Sequence, residues 1–191
     1  MASNKWRTEA LRPFSAVLLI EPLVHQDARG AFMEVWSRRD FEKLGIEADF
    51  VQDNQSLSRP AWTLRGIHFQ RGAAAQAKLV RCLKGAFFDV AVDLRPESVT
   101  FGQWAGAVIS AANRRMIYIP KGFGHAFLTL EPETQAAYKA DAYYAPEAEG
   151  AVRWNDPFIS IHWPLPEGQA PVLSAKDAAA PLFAAQFGAQ P

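Results

Sequence analysis

The sequence predicts an all-β sandwich or barrel. Short apolar and alternating segments recur from residue 50 onward, each closed by glycine, proline or asparagine, and only one early stretch has helical spacing. Many short strands with so little helix argue against alternating β-α units and for two sheets packed face to face or closed on themselves.

Val17 to Ile20 reads as a first strand and Ala31 to Trp36 as a second, with a turn around Gln26 to Gly30. Arg38 to Leu44 carries Phe41 and Leu44 at helical spacing and runs into Gly45, which predicts a short helix covering one barrel end. The strand series then runs Leu64 to Gln70, Ala77 to Leu83, Ala86 to Asp93, Gly102 to Ile109, Arg115 to Ile119, Ala126 to Leu130 and Gln135 to Ala140. Lys84-Gly85, Arg95-Pro96, Asn113, Pro120 with Gly122, and Pro132 separate its members. A period of two puts Leu64, Gly66, His68 and Gln70 on one face and Arg65, Ile67 and Phe69 on the other, while Lys78, Val80 and Cys82 share a face. Asp156-Pro157 reads as a turn. Pro164, Pro166, Pro171 and Pro181 resist a continuous terminal helix, so the tail is expected to wrap the barrel.

A chain of 191 residues, 49% hydrophobic, fits one domain that buries a core without staples. Twenty basic and twenty acidic side chains balance, so no bulk field draws the protein to nucleic acid, and an anionic ligand must be held by local charges. The one cysteine, Cys82, has no internal disulfide partner and reads as a reduced core thiol, which points to the cytoplasm. No stretch reads as an export signal, and the apolar run Ala16 to Ile20 is too short to span a membrane.

The four histidines, at 25, 68, 125 and 162, include no close pair, which speaks against a metal centre. Arg71-Gly72-Ala73 carries neither a Walker pattern nor a dinucleotide fingerprint, so neither ATP nor NAD is expected. His68 is the best single candidate for a base, since a neutral imidazole accepts a proton near neutral pH; a bonded structural histidine is the plainer alternative. Asp177 can orient it only if the C-terminal wrap brings it close. Tyr138 is either a core aromatic or a phenol that donates from the opposite side. Lys78 and His125 are either ordinary strand residues or donors to a developing oxyanion. Arg29 and Arg65 suit paired bonds to phosphoryl oxygens, and suit surface ion pairs equally.

Read in order, several blocks closely resemble the dTDP-4-dehydrorhamnose 3,5-epimerase family. They are Arg65-Gly66-Ile67-His68-Phe69-Gln70, Lys78-Leu79-Val80-Arg81, Phe88 to Arg95, Phe50 to Asn54, Thr100 to Trp104, Ile119 to Phe127, Tyr143 to Glu147, Arg153 to Pro157 and Leu173 to Asp177. The resemblance runs from about Pro22 to Leu182. It implies a single cupin-type domain over 1–191, a double-stranded β-helix (jelly roll) with short peripheral helices, whose barrel occupies roughly 50–163. It also implies a cofactorless, metal-free homodimer acting on a dTDP-linked 4-keto-6-deoxy sugar. In that pattern His68 is the base, Asp177 its orienting carboxylate and Tyr138 the opposing acid, with Lys78 and His125 beside the ketone oxygen. Arg65 takes the diphosphate, and Gln52, Asn54 and Tyr143 contact the nucleotide. Asp27-Ala28-Arg29-Gly30-Ala31-Phe32 implies that Arg29, Phe32 and Glu34 approach from the partner subunit. Gln55 stands where the family has histidine, and Ala77 where it has glycine. Single-centre epimerisation and a catalytically silent sugar-binding cupin are the competing readings, separated by exchange of the substrate's α-hydrogens.

Overall fold

A computed structural model describes residues 5–188. Two antiparallel sheets face one another. The first runs in the order β1 (Trp6–Ala10), β2 (Leu18–Pro22), β10 (Met116–Ile119), β7 (Lys78–Lys84), β12 (Thr134–Ala140) and β5 (Gln52–Ser58). The second runs β13 (Glu149–Ala151), β6 (Leu64–Gln70), β11 (Phe123–Thr129), β8 (Ala86–Asp93) and β9 (Trp104–Ser110). A separate hairpin joins β3 (His25–Asp27) to β4 (Gly30–Phe32).

Alternation along each strand decides which residues meet between the sheets. Val80 and Cys82 on β7, Ile117 and Ile119 on β10, Phe87 and Ala91 on β8, and Phe123 and Phe127 on β11 form the inner cluster. Odd and even positions of β8 are both buried, because its outward residues Val90 and Val92 lie under the C-terminal segment. That segment lays Val152, Ile159, Ile161 and Phe183 against Ile67, Phe69 and Ala126. The expected wrap is therefore present, and it closes through Asp156, whose carboxylate accepts from the backbone N–H of Phe158, Ile159 and Phe183. Its helical pieces, α2 (Ala175–Ala178) and α3 (Phe183–Phe187), are short, as the prolines require.

The early helix spans Arg38–Glu42 (α1), but it does not plug a barrel end. Phe41 is buried with Ile46, Ile20, Leu79 and Met116 on the outer face of the first sheet, edge-on to Trp6. The strand expected over Ala31 to Trp36 stops at Phe32. Beyond it, Val35 and Trp36 turn onto the same outer cluster, with Trp36 edge-on to Phe50. Strands β1, β5 and β13 carry too little apolar alternation to be read from sequence. In β5 the inward positions are Gln52, Asn54, Ser56 and Ser58, all polar.

The expected separation of Arg65 from His68 is also corrected. In the pairing of β6 with β11, His68 lies opposite His125 and Arg65 opposite Phe127, with a register shift between. The irregularity falls at Gly66, whose φ of +117° suits glycine and whose missing Cβ would stand 2.6 Å from that of Ala126. The extra residue restores parity, so Arg65 and His68 both face inward while Ile67 and Phe69 pack outward.

Candidate active site

The polar centre of the barrel is assembled from both sheets. On β6, His68 places Nε2 2.6 Å from Asp177 Oδ1, across 109 positions of sequence. Asp177 sits on α2, which Ser174 caps by accepting from the Asp177 backbone N–H at 3.0 Å. The Ser174 hydroxyl also donates to Asp177 Oδ2 at 2.7 Å, and the Gly66 backbone N–H points at Oδ1 from 3.4 Å. Burial opposes ionisation of Asp177, but the bonds from His68 and Ser174 outweigh it and hold the carboxyl below the usual range. With Nε2 engaged, Nδ1 is the His68 nitrogen without a hydrogen-bond partner among the described residues.

On the facing sheet, Tyr138 lies on β12 with the same parity as Ala136, directed inward, while Lys139 points outward to Asp53 at 2.8 Å. Burial pushes the Tyr138 phenol up, and the nearby Arg65 only partly offsets it. Lys78 Nζ stands 5.7 Å from the Tyr138 ring centre, and the His125 ring 6.5 Å from it. Burial lowers Lys78 from 10.5 to about 8, against the pull of Asp89 and Glu149. His125 is tied to the fully buried Asp89, with Nε2 at 3.0 and 3.2 Å from its two oxygens. The structure thus brings His68, Asp177, Tyr138, Lys78 and His125 into one interior.

Arg65 extends along the same interior, donating to Ser58 Oγ at 3.2 Å and to the Leu57 carbonyl at 3.3 Å. Gln52 donates to Asn54 Oδ1 at 2.9 Å and accepts from the Tyr144 backbone N–H at 3.0 Å. Asn54 Nδ2 and Ser56 Oγ are buried without a partner among the described residues. Tyr143 is 71% exposed, and its carbonyl accepts from Gln70. Arg29, Phe32 and Glu34 stay apart from this centre. Arg29 bonds Asp27, Glu34 pairs with Lys5 at 2.6 Å, and Phe32 is 68% exposed on a hairpin whose residues are all exposed. Gln55 points outward to Gln135, and the Ala77 backbone N–H donates to Asp141, so neither departure falls inside the centre.

Sequence reasoning missed Asp89, a charge inside an apolar strand with the parity of Ala91. It also missed Glu149, which accepts from the Tyr144 hydroxyl at 3.0 Å and from Lys176. The electrostatic pull of Glu149 reaches Lys78, and that of His68 reaches Glu149. Among the described residues no group of three His, Cys, Asp or Glu side chains has the arrangement of a metal site. A carboxylate-oriented imidazole on one sheet and a phenol raised by burial on the other, with a lysine and a second histidine near that phenol, can move protons on two faces of a carbon acid and hold charge on its oxygen.

A family model described as dTDP-4-dehydrorhamnose 3,5-epimerase matches residues 12–185. The dTDP-4-dehydrorhamnose 3,5-epimerase of Salmonella typhimurium is 54% identical over 168 residues, covering 87% of this chain and 90% of the relative. That of Escherichia coli is 51% identical over 162 residues, covering 84% and 86%. Among solved structures, the enzyme of the same description from Elizabethkingia anophelis superposes with a TM-score of 0.89 at 43% identity, covering 96% of this chain and 100% of that one. A dTDP-6-deoxy-D-glucose-3,5-epimerase from Legionella pneumophila, solved with dTDP-4-keto-L-rhamnose, gives a TM-score of 0.87 at 44% identity, covering 93% and 92%.

Proposed function

Since the chain belongs to the dTDP-4-dehydrorhamnose 3,5-epimerase family, with its cupin-type jelly roll and its 3,5-epimerisation of a dTDP-4-keto-6-deoxyhexose, we propose how its side chains divide that reaction. The observation that carries the proposal is the opposition of the His68–Asp177 pair on one sheet to Tyr138 on the other.

The C4 ketone acidifies the hydrogens on C3 and C5 and is itself the electron sink, so no cofactor is needed. His68 Nδ1 takes an α-proton, and the C–H electron pair moves into the ring to leave an enolate with its charge on the C4 oxygen. Asp177 fixes the imidazole and stabilises the cation that forms. Lys78 and the free nitrogen of His125 face the oxyanion, a contribution of several kcal/mol in a preorganised, water-poor site. Tyr138 returns a proton to the opposite face, its phenol kept protonated by burial. Once His68 has released its proton to solvent and the Tyr138 phenolate has taken one up, the same sequence at the second carbon completes the inversion.

Arg65 is assigned to the diphosphate, and Gln52, Asn54 and Tyr143 to the nucleotide. Asn54 has an unpartnered buried donor on the same strand face as Gln52. The exposed hairpin bearing Arg29 and Phe32, with Glu34 just beyond it, is assigned to the site of a second copy, making the working unit a homodimer. Both sheets and the C-terminal wrap supply residues to one interior, which supports a single domain. Among the described residues no helix is long and apolar enough to cross a membrane, and the buried free thiol of Cys82 supports a cytoplasmic setting.

The deciding experiment incubates a dTDP-4-keto-6-deoxy sugar with enzyme in deuterated water and follows each carbon by NMR. Deuterium is expected at both C3 and C5 in the parent protein and at neither in His68→Ala. Tyr138→Phe should still exchange on the starting face while forming little inverted product. Near-normal exchange without His68, or near-normal inversion without the Tyr138 hydroxyl, would refute these assignments. Deuterium at one carbon alone would identify a single-centre epimerase.

A further inference from the structure

The block Arg153-Trp154-Asn155-Asp156-Pro157 takes no part in the steps above, yet it is built into the support of the catalytic pair. We propose that Arg153 and Asp156 are positioning residues, a clamp that sets Asp177 against His68 without touching substrate. The proposal rests on the reading of His68 and Asp177 as the base pair.

Asp177 comes from a helix of four residues, too short to hold its own place. Its segment is fastened on both sides. Upstream, the backbone alone does this: Val172 N–H donates to the Trp62 carbonyl at 2.8 Å, and Leu64 N–H donates to the Val172 carbonyl at 2.9 Å. Downstream, side chains are recruited. Arg153 Nε donates to the Ala180 carbonyl at 3.1 Å, and its backbone N–H to the Pro181 carbonyl at 2.8 Å. Asp156 Oδ2 accepts from the Phe183 N–H at 2.7 Å, while its Oδ1 accepts from Phe158 and Ile159. Asp156 is only 2% exposed, and Phe183 beneath it is fully buried.

The clamp is also registered to the base. Val152, immediately before Arg153, exchanges backbone bonds of 3.0 and 3.1 Å with Ile67, the neighbour of His68. One edge of the second sheet therefore holds the peptide carrying the imidazole and, through Arg153 and Asp156, the far end of the segment carrying its carboxylate. A 2.6 Å bond between two such segments leaves little room for either to drift.

Asp156→Asn tests this directly. The amide oxygen can still accept from Phe158 and Ile159, but its NH2 then meets the Phe183 N–H donor to donor. Arg153→Met, which keeps an unbranched apolar stem and loses Nε, is the second variant. Each is expected to lower the kcat of α-hydrogen exchange roughly 10- to 100-fold with KM nearly unchanged, as misplacement of a catalytic group does. In an Asp177→Asn background neither should lower kcat further, because the group they position is gone. Ile109→Val, which trims a buried side chain of the inner cluster, serves as the stability control and should leave kcat intact. Unchanged kcat in both folded clamp variants, or losses that multiply with that of Asp177→Asn, would overturn the clamp. If Asp177→Asn alone leaves kcat unchanged, the base-pair reading fails first and takes the clamp with it.

Discussion

Lys78 is the site cation whose charge is most exposed to pH. Burial brings its pKa from 10.5 down to about 8, so the protein forgoes roughly 3 kcal/mol of the ammonium's ordinary preference for its proton. The charged form that faces the enolate oxygen therefore prevails below about pH 8 and is lost above it. Near pH 7 about nine in ten molecules carry the ammonium, and near pH 9 about one in ten, so kcat/KM should fall about tenfold across that interval. The Tyr138 phenol is pushed upward by burial and stays protonated across the same range, so it does not contribute to this limb. Lys78→Arg keeps a charge that does not titrate and should abolish the limb even where its longer fork lowers the rate. Lys78→Met should lose about 10²- to 10³-fold in kcat below about pH 8, a deficit that narrows at higher pH as the parent's ammonium is lost. The assay is initial-rate α-hydrogen exchange at limiting substrate, buffered between about pH 6 and 10. A flat profile in the parent protein, or an identical alkaline limb in Lys78→Arg, would refute the argument.

Three further outcomes follow from the structure. Asp93 is fully buried; burial opposes its charge, but bonds from Arg95, Ser98 and Thr100 prevail and lower it to about 2, below its ordinary 3.8. Its contribution is complete above the ordinary value and disappears as pH falls through about 2, so the parent should lose about 2 kcal/mol more than Asp93→Asn in denaturant unfolding between neutral and acid pH. Equal losses would contradict this. Gly66→Ala forces a Cβ to within 2.6 Å of the His125 carbonyl at φ +117°, and should cost several kcal/mol of stability, or displace His68 and stop exchange in whatever folds. A variant of parental stability and rate would show that the glycine is not required. Arg65→Ala should raise the Kd for dTDP about 10-fold or more while the folded protein, saturated with substrate, still exchanges; an unchanged Kd would remove Arg65 from the diphosphate.

What the sequence made legible was decided by where apolar alternation survives. On β7, a period of two places Lys78 on the face of Val80 and Cys82, but Leu79 on the other face is buried too, so parity alone does not say which face is the interior. On β5 the same rule had nothing to work with, since a strand that lines a polar interior shows polar residues on both faces. The opposite error arose on β6. Simple alternation placed Arg65 and His68 on opposite faces, and only the register shift at Gly66 turns both inward. The meeting of Asp177 with His68 spans the whole barrel, and spacing carries no trace of it; the ordered family blocks supplied that pairing. Asp89 was open to detection as a carboxylate among Phe88, Val90 and Ala91, a place where burial demands a partner.

The wide separation of His68 from Asp177 also bears on how the protein is made. Synthesis runs from the N-terminus, so the strands of both sheets, the last of them β13 at Ala151, are complete before the segment carrying Asp177 is translated. Ile67, Phe69, Val90 and Val92 then wait with an outer face uncovered until Ile159, Ile161 and Phe183 arrive. Until that late closure the nascent barrel shows an adhesive apolar surface and holds a histidine without its carboxylate. Recovery of proton exchange after refolding therefore times the final docking step.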